Sequence, residues 1–116
     1  MSYNEFSRTS APRRRLAQVS PSTTALRIYQ CPANKACRID AIYVSNVHSG
    51  VTDITIHHLA PGETATTSNA MYYQVSVPKN TVLIDDAPKY LLAGDTIMAS
   101  SSTGAHVVIT VYGEEG

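Results

Sequence analysis

The chain has 116 residues, enough for one domain with one core and no need of disulfide or metal staples. Nine Lys and Arg balance nine Asp and Glu, so no overall field draws it to nucleic acid or to an anionic membrane. Hydrophobic residues make up 43%, yet no apolar run approaches the ~18 residues of a membrane span and residues 1–15 lack the apolar stretch of a signal peptide. A soluble protein made in a cytoplasm, with no membrane partner, is expected.

Charge is unevenly spread. Residues 1–20 hold Arg8, Arg13, Arg14 and Arg15 against Glu5, which leaves the remainder mildly acidic. Residues 1–23 are rich in Ser and contain Pro12 and Pro21, with only Tyr3, Phe6, Leu16 and Val19 as apolar anchors. Neither a 3.6 nor a 2 periodicity persists there, so the stretch reads as an extended N-terminal arm without a core of its own. Its expected docking residues are Tyr3, Phe6, Arg8, Arg13, Arg14, Arg15 and Leu16, and the folded domain is expected to occupy 24–116.

From Thr24 the pattern changes. Ala25 to Tyr29 alternates and stops at Cys31-Pro32, where proline removes a ladder donor. Cys31 and Cys37 flank a turn, and in a reducing compartment they are expected as free thiols. Residues 36–59 read as a β-hairpin around which the rest is organised: two runs rich in Ile, Val, Thr and Tyr flank Asn46-Val47-His48-Ser49-Gly50. Ile54 and Ile56 share one face of the second run. In the first, Cys37 and Ile39 have one parity and Ile42 and Val44 the other, so either both faces are covered or a bulge near Asp40-Ala41 resets the register. Both readings make it a central strand.

Residues 60–69 are small, polar and turn-forming, an exposed loop. Strand composition returns at 71–77 and, after a tight Pro78-Lys79-Asn80 turn, at 81–85. Residues 87–92 are irregular or briefly extended, Ala93-Gly94-Asp95 is a turn, and 96–100 is a strand. Ala105 to Tyr112 follows, with Val107, Ile109 and Val111 on one face. Seven strands at short spacing without a helical segment mean a β-sandwich or small barrel.

The chemistry-bearing residues do not assemble a catalytic signature. Of the four histidines, His48, His57, His58 and His106, His57 and His58 are adjacent on a strand and point to opposite faces, which argues against both ligating one ion. Asp85-Asp86 sits at a strand end where carboxylates face solvent. No nucleophile elbow and no phosphate-binding glycine loop is present. No enzyme, cofactor or metal site is expected. Arg13-Arg14-Arg15 suits phosphates, but the tyrosines are scattered and the body is acidic, so carboxylates of a neighbouring subunit are an equally natural partner.

The body also resembles a family. Cys31-Pro32-Ala33-Asn34-Lys35, then Cys37-Arg38-Ile39-Asp40-Ala41-Ile42-Tyr43-Val44-Ser45-Asn46, the Thr-rich strand to His57, and Leu91-Leu92-Ala93-Gly94-Asp95-Thr96-Ile97 are similar to the small β-sandwich accessory proteins of tailed-phage virions. The match covers roughly 24–112. It implies an all-β, single antiparallel sandwich, jelly-roll-like with about seven to eight strands. It also implies a virion structural protein that decorates or cements the capsid, or attaches at the neck, collar or tail. Expected partners are the major capsid protein or other virion proteins and further copies of the chain. The matching residues are scaffold, so the resemblance carries no site across. Two other functions stay open: a carbohydrate-binding module using Tyr43, Tyr72 and Tyr73, and a nucleic-acid-binding accessory protein using Arg13–Arg15.

Overall fold

Alternating Ile and Val residues bring the chain's strands face to face. The computed structural model describes residues 14–116. Nine strands run in order: β1 (Arg14–Val19), β2 (Leu26–Gln30), β3 (Cys37–Asn46), β4 (Thr52–Leu59), β5 (Ala70–Val77), β6 (Val82–Asp85), β7 (Lys89–Leu91), β8 (Thr96–Ser101) and β9 (Val107–Glu115). One sheet has the order β1-β9-β3-β6, with β7 also pairing β3; the other is β2-β8-β4-β5. All these pairings are antiparallel. Ile39, Ile42, Val44, Val107, Ile109 and Val111 of the first sheet meet Ile54, Ile56, Ile97 and Ala99 of the second in one core. Each such Ile or Val side chain contributes about 1.5–3 kcal/mol by leaving water.

The pairings nest: β1 with β9, β2 with β8, β3 with β6 and β7, β4 with β5. This is a jelly roll, an antiparallel ribbon wound so that its two arms alternate between the sheets. Such winding overturns the expected hairpin at 36–59. β3 and β4 lie in opposite sheets, and the segment between them crosses the end of the sandwich. Buried Asn46 organises that crossing: its Nδ2 donates to Gly50 O and Val77 O, both at 2.9 Å, and its Oδ1 accepts from His48 N at 2.8 Å. The runs at 71–77 and 81–85 part in the same way, joined at Asn80 (φ 58°) but placed in different sheets.

β3 resolves its parity conflict by a bulge. Its register against β9 shifts between Ile39 and Ala41, so Cys37 and Ile39 before the shift and Ile42 and Val44 after it all face the core. Gly113 lies under the bulge: a Cβ there would sit 2.0 Å from Arg38 O and 3.1 Å from Ile39 Cα. Only a residue without a side chain lets the two backbones approach so closely.

Two strands exceed the seven expected. β7 has three residues. β1 was expected as part of the arm outside the sandwich; instead Arg14–Val19 pairs with β9, and Leu16, Ala17 and Val19 pack on the core. The arm's first thirteen residues lie outside the described part.

Gly113→Ala should lower stability by about 3 kcal/mol, the upper end for overpacking, because a backbone carbonyl cannot rotate away as a side chain can. Urea unfolding measures it, and a loss under ~0.5 kcal/mol would mean the bulge relaxes freely. A chain beginning at Ser20 should lose about 2 kcal/mol or more, from the lost burial of Leu16 and Val19 and the core surface they leave uncovered. An unchanged denaturation midpoint would show β1 to be a passive attachment.

Candidate functional site

Of the seven docking residues expected from sequence, Tyr3, Phe6, Arg8 and Arg13 lie outside the described residues. The other three belong to β1 and do different things. Arg14 Nη2 is 3.0 Å from Glu115 Oε1, Arg15 Nη1 donates to Gln18 Oε1 at 3.1 Å, and Leu16 faces the core. The arginine run is therefore partly engaged within the protein.

Arg14 leads into a polar cluster at one end of the sandwich. Glu115 receives Arg14, Lys35 at 3.7 Å and the Tyr29 phenol; Tyr29 Oη also lies 3.3 Å from Cys37 Sγ. Cys31 and Cys37 are both buried, reduced and within hydrogen-bond reach of each other, and Cys31 Sγ also donates to Lys35 O at 3.4 Å. The Tyr29 hydrogen bond, helped by Arg14 and Lys35 against partial desolvation, holds the Glu115 carboxyl below its ordinary range. Burial first, and then Cys37, pushes the Cys31 thiol up to about 12. Burial and the same neighbours raise the Tyr29 phenol. A thiol so far from ionisation is a poor nucleophile.

The histidines divide among three places. His57 Nδ1 lies 2.9 Å from Asn69 Oδ1, in the loop joining β4 and β5. His58 Nε2 lies 3.0 Å from Asp95 Oδ2, which also accepts from Leu92 N. This pins the Leu92–Asp95 turn, where Gly94 takes φ 84°. His48 and His106 stack at 4.9 Å between ring centroids. Among the described residues no group of three or more His, Cys, Asp or Glu is placed to hold a metal ion. Asp85 differs from the expected solvated carboxylate: Lys89 Nζ is 2.6 Å away and the Tyr72 phenol donates to it. Burial raises its carboxyl, but Lys89, Tyr72 and the Ala87 amide outweigh this and leave it lowered. On the second sheet, a cleft of about 170 Å³ gathers Thr55, Ser100 and Ser102 around Asp53, which accepts from Ser76. No histidine lines it, and Asp53 is its one ionisable side chain.

The outward surface of the first sheet has another character. Tyr43 on β3 stacks edge-on against Tyr112 on β9 at 5.5 Å, and opposite Tyr43 in the register is Ile84 of β6, 53% exposed. Val82 continues the row opposite Ser45, also exposed. β6 is an edge strand, and its pairing with β3 has no register shift; the pairings of edge strands β1 and β2 contain one each and that of β5 contains two. At Gln74 (φ 52°) β5 bends so that its amide bonds Thr55 Oγ1. Bulged edges resist addition of a foreign strand, and a straight apolar one invites it. The sequence signal was the apolar run Val82-Leu83-Ile84, whose outward members only the sheet assignment identifies. Tyr43 lies on the opposite sheet from Tyr72 and Tyr73, so these three form no common sugar platform.

No protein-family model matches the chain, and no curated protein does. Among solved structures it is similar to a chain in the acidic stable capsid structure of Helicobacter pylori bacteriophage KHP30. The TM-score is 0.52 at 9% identity, over 89% of this chain and 86% of that one. At that identity the likeness is one of fold. A chain in the structure of infectious bursal disease virus Gx strain gives a TM-score of 0.27 at 8% identity, over 90% of this chain and 33% of that one, too slight to bear on the fold.

Stability should decline on both sides of neutrality. Glu115 and Asp85 are depressed in the folded state, so their contribution is complete above the ordinary glutamate value of 4.5 and is lost as pH falls below it. Cys31, Tyr29 and Tyr72 are raised, so the unfolded chain ionises first and stability falls as pH climbs past the ordinary thiol value of 9.0. Melting temperature against pH checks both, and Glu115→Gln should flatten the acid limb. A flat profile from pH 5 to 3 would refute the acid assignment.

Proposed function

We propose that this chain is a non-enzymatic structural protein of a tailed-phage virion. In this reading it decorates or cements the capsid, or attaches at the neck or tail, through its N-terminal arm and the straight edge and apolar face of the first sheet. The observation that carries the proposal is the jelly roll itself, shared over nearly nine-tenths of both chains with a phage capsid chain. The surface supports it: Tyr43, Tyr112, Val82 and Ile84 line up beside an unbulged edge strand, where backbone groups of a second protein can extend the sheet. Partners would be the major capsid protein or another virion protein, and copies of this chain related by the particle's symmetry.

Proteomics of purified particles, followed by antibody labelling in the electron microscope, tests the location. The protein should be stoichiometric in virions and label the shell, neck or tail; its absence from purified particles would overturn the proposal. Particles assembled without it should bind the added protein. Ile84→Asp, at an exposed position, should weaken that binding at least tenfold, about 1.4 kcal/mol, while leaving the melting temperature within a few degrees.

A further inference from the structure

Among the described residues, no strand pairs with the outer side of β6. The ladder on its inner side fixes which backbone groups that outer side offers. Asn46 N donates to Thr81 O at 3.0 Å, and on the other flank of β3 Val47 N donates to His106 O at 3.0 Å. Carried along the register, this makes Val44 with Leu83 and Ile42 with Asp85 hydrogen-bonded pairs, and Ser45 with Val82 and Tyr43 with Ile84 the open ones. The N–H and C=O of one residue point to the same neighbour in an antiparallel ladder, so those of Val82 and Ile84 point away from β3 into the free edge.

The spacing of these two residues is self-complementary. A second β6 laid antiparallel about a two-fold axis at Leu83 sets Val82 opposite the partner's Ile84, and Ile84 opposite the partner's Val82. Both pairs are of the hydrogen-bonded kind, which gives four N–H to C=O bonds, with Leu83 facing its own copy between them. An axis at Val82 or at Ile84 would keep only one such pair. The chain turns out of the strand at Asn80 (φ 58°) on one side. On the other, Ala87 N is taken by Asp85 Oδ1 at 3.1 Å and Pro88 has no N–H. Charge agrees with the axis at Leu83, because that register brings the exposed Lys79 turn of each copy to the other's strand end at exposed Asp86. The axis stands perpendicular to the sheet, so the outward faces of both copies look the same way. Their rows of Tyr112, Tyr43, Ile84 and Val82 join into one apolar strip.

We propose that β6 pairs with β6 of a second copy across a two-fold axis at Leu83, joining two first sheets into one and leaving the doubled apolar strip for docking. The proposal rests on the reading of this edge and face as attachment surfaces, and names what the edge takes. β6 has four residues, so the contact falls well under the ~800 Å² per partner of a stable complex and the dimer forms at ~0.1–1 mM in solution. A particle that holds copies side by side would complete it by raising their effective concentration.

Sedimentation equilibrium of the full-length protein up to ~1 mM tests the association, and engineered cysteines test its register. Val82→Cys and Ile84→Cys lie at exposed positions, whereas Cys31 and Cys37 are buried. Directly opposed Cα atoms of a hydrogen-bonded pair are ~5.5 Å apart, within disulfide reach, while 82 to 82 or 84 to 84 is a diagonal of ~7–8 Å and out of reach. On oxidation, an equimolar mixture of the two variants should therefore give disulfide-linked dimer about fivefold faster than either variant alone. Val82→Pro, which removes only an outward N–H at the first position of the strand, should raise the dissociation constant about tenfold or more with the melting temperature within a few degrees. A protein still monomeric at ~1 mM would overturn the proposal and leave the edge to a strand of another virion protein. Cross-linking as fast in the single variants as in the mixture, or association untouched by Val82→Pro, would overturn it as well. None of these outcomes touches the proteomics of purified particles, which decides the virion reading separately.

Discussion

The close approach of β9 to β3 at Gly113 is the contact on which the rest of the molecule depends. β3 is the central strand of its sheet, with β9 on one side and β6 and β7 on the other, and its two halves have opposite parity. Without the bulge at Asp40, either Cys37 and Ile39 or Ile42 and Val44 would face water, and half of β3's share of the core would be lost. The bulge needs room on the neighbouring strand, and Gly113 supplies it by having no Cβ. Arg38 and Asp40, joined at 2.7 Å across the bulge, hold its polar side, with Glu114 2.9 Å from the same guanidinium.

Jelly-roll winding explains which parts of the fold were legible in the sequence. The runs at 25–29, within 36–59, and at 71–77, 81–85, 96–100 and 105–112 announce themselves because alternation and β-branched composition are local properties, and the parity conflict in β3 left a bulge near Asp40-Ala41 as one of two readings. Pairing is not local here. Sequential strands usually pair, but in this chain only β4 and β5 do so, and the strong turn signal at Asn46–Gly50 belongs to a crossing between sheets. β1 escaped for a related reason. Its register shift between Arg15 and Ala17 destroys the alternation, and its apolar residues become core only when β9, almost a hundred residues later, lies beside them.

The candidate surfaces divide along the same line. The arginine run was visible, yet its meaning changes once Arg14 meets Glu115 at a sequence separation of 101. The Tyr29, Cys37 and Glu115 cluster has no local signature because it joins strands of both sheets. The row of Tyr43, Ile84 and Val82 required knowing that β6 sits beside β3 and that its even-numbered residues point outward. Leu83, between them, is half-buried against the core. In sequence all four are ordinary strand residues.

Topology also sets how the body would bear a load applied through its N-terminal arm, the attachment proposed above. β1 and β9 are the first and last strands and run antiparallel side by side, so a pull on the residues before Arg14 acts along the axis of β1. Ladder hydrogen bonds lie across that axis. Force along it loads all the paired residues from Arg14 to Val19 together, whereas force across it would open them one at a time from an end. The Arg14–Glu115 ion pair sits at the point where the load enters, and Leu16 and Val19 anchor the strand to the core beneath. β9 in turn is clasped by β3 along nearly its whole length, with the Gly113 bulge interlocking the two backbones. An arm attached at the edge strand of this particular pair therefore transmits tension first into the most extensively paired part of the sandwich.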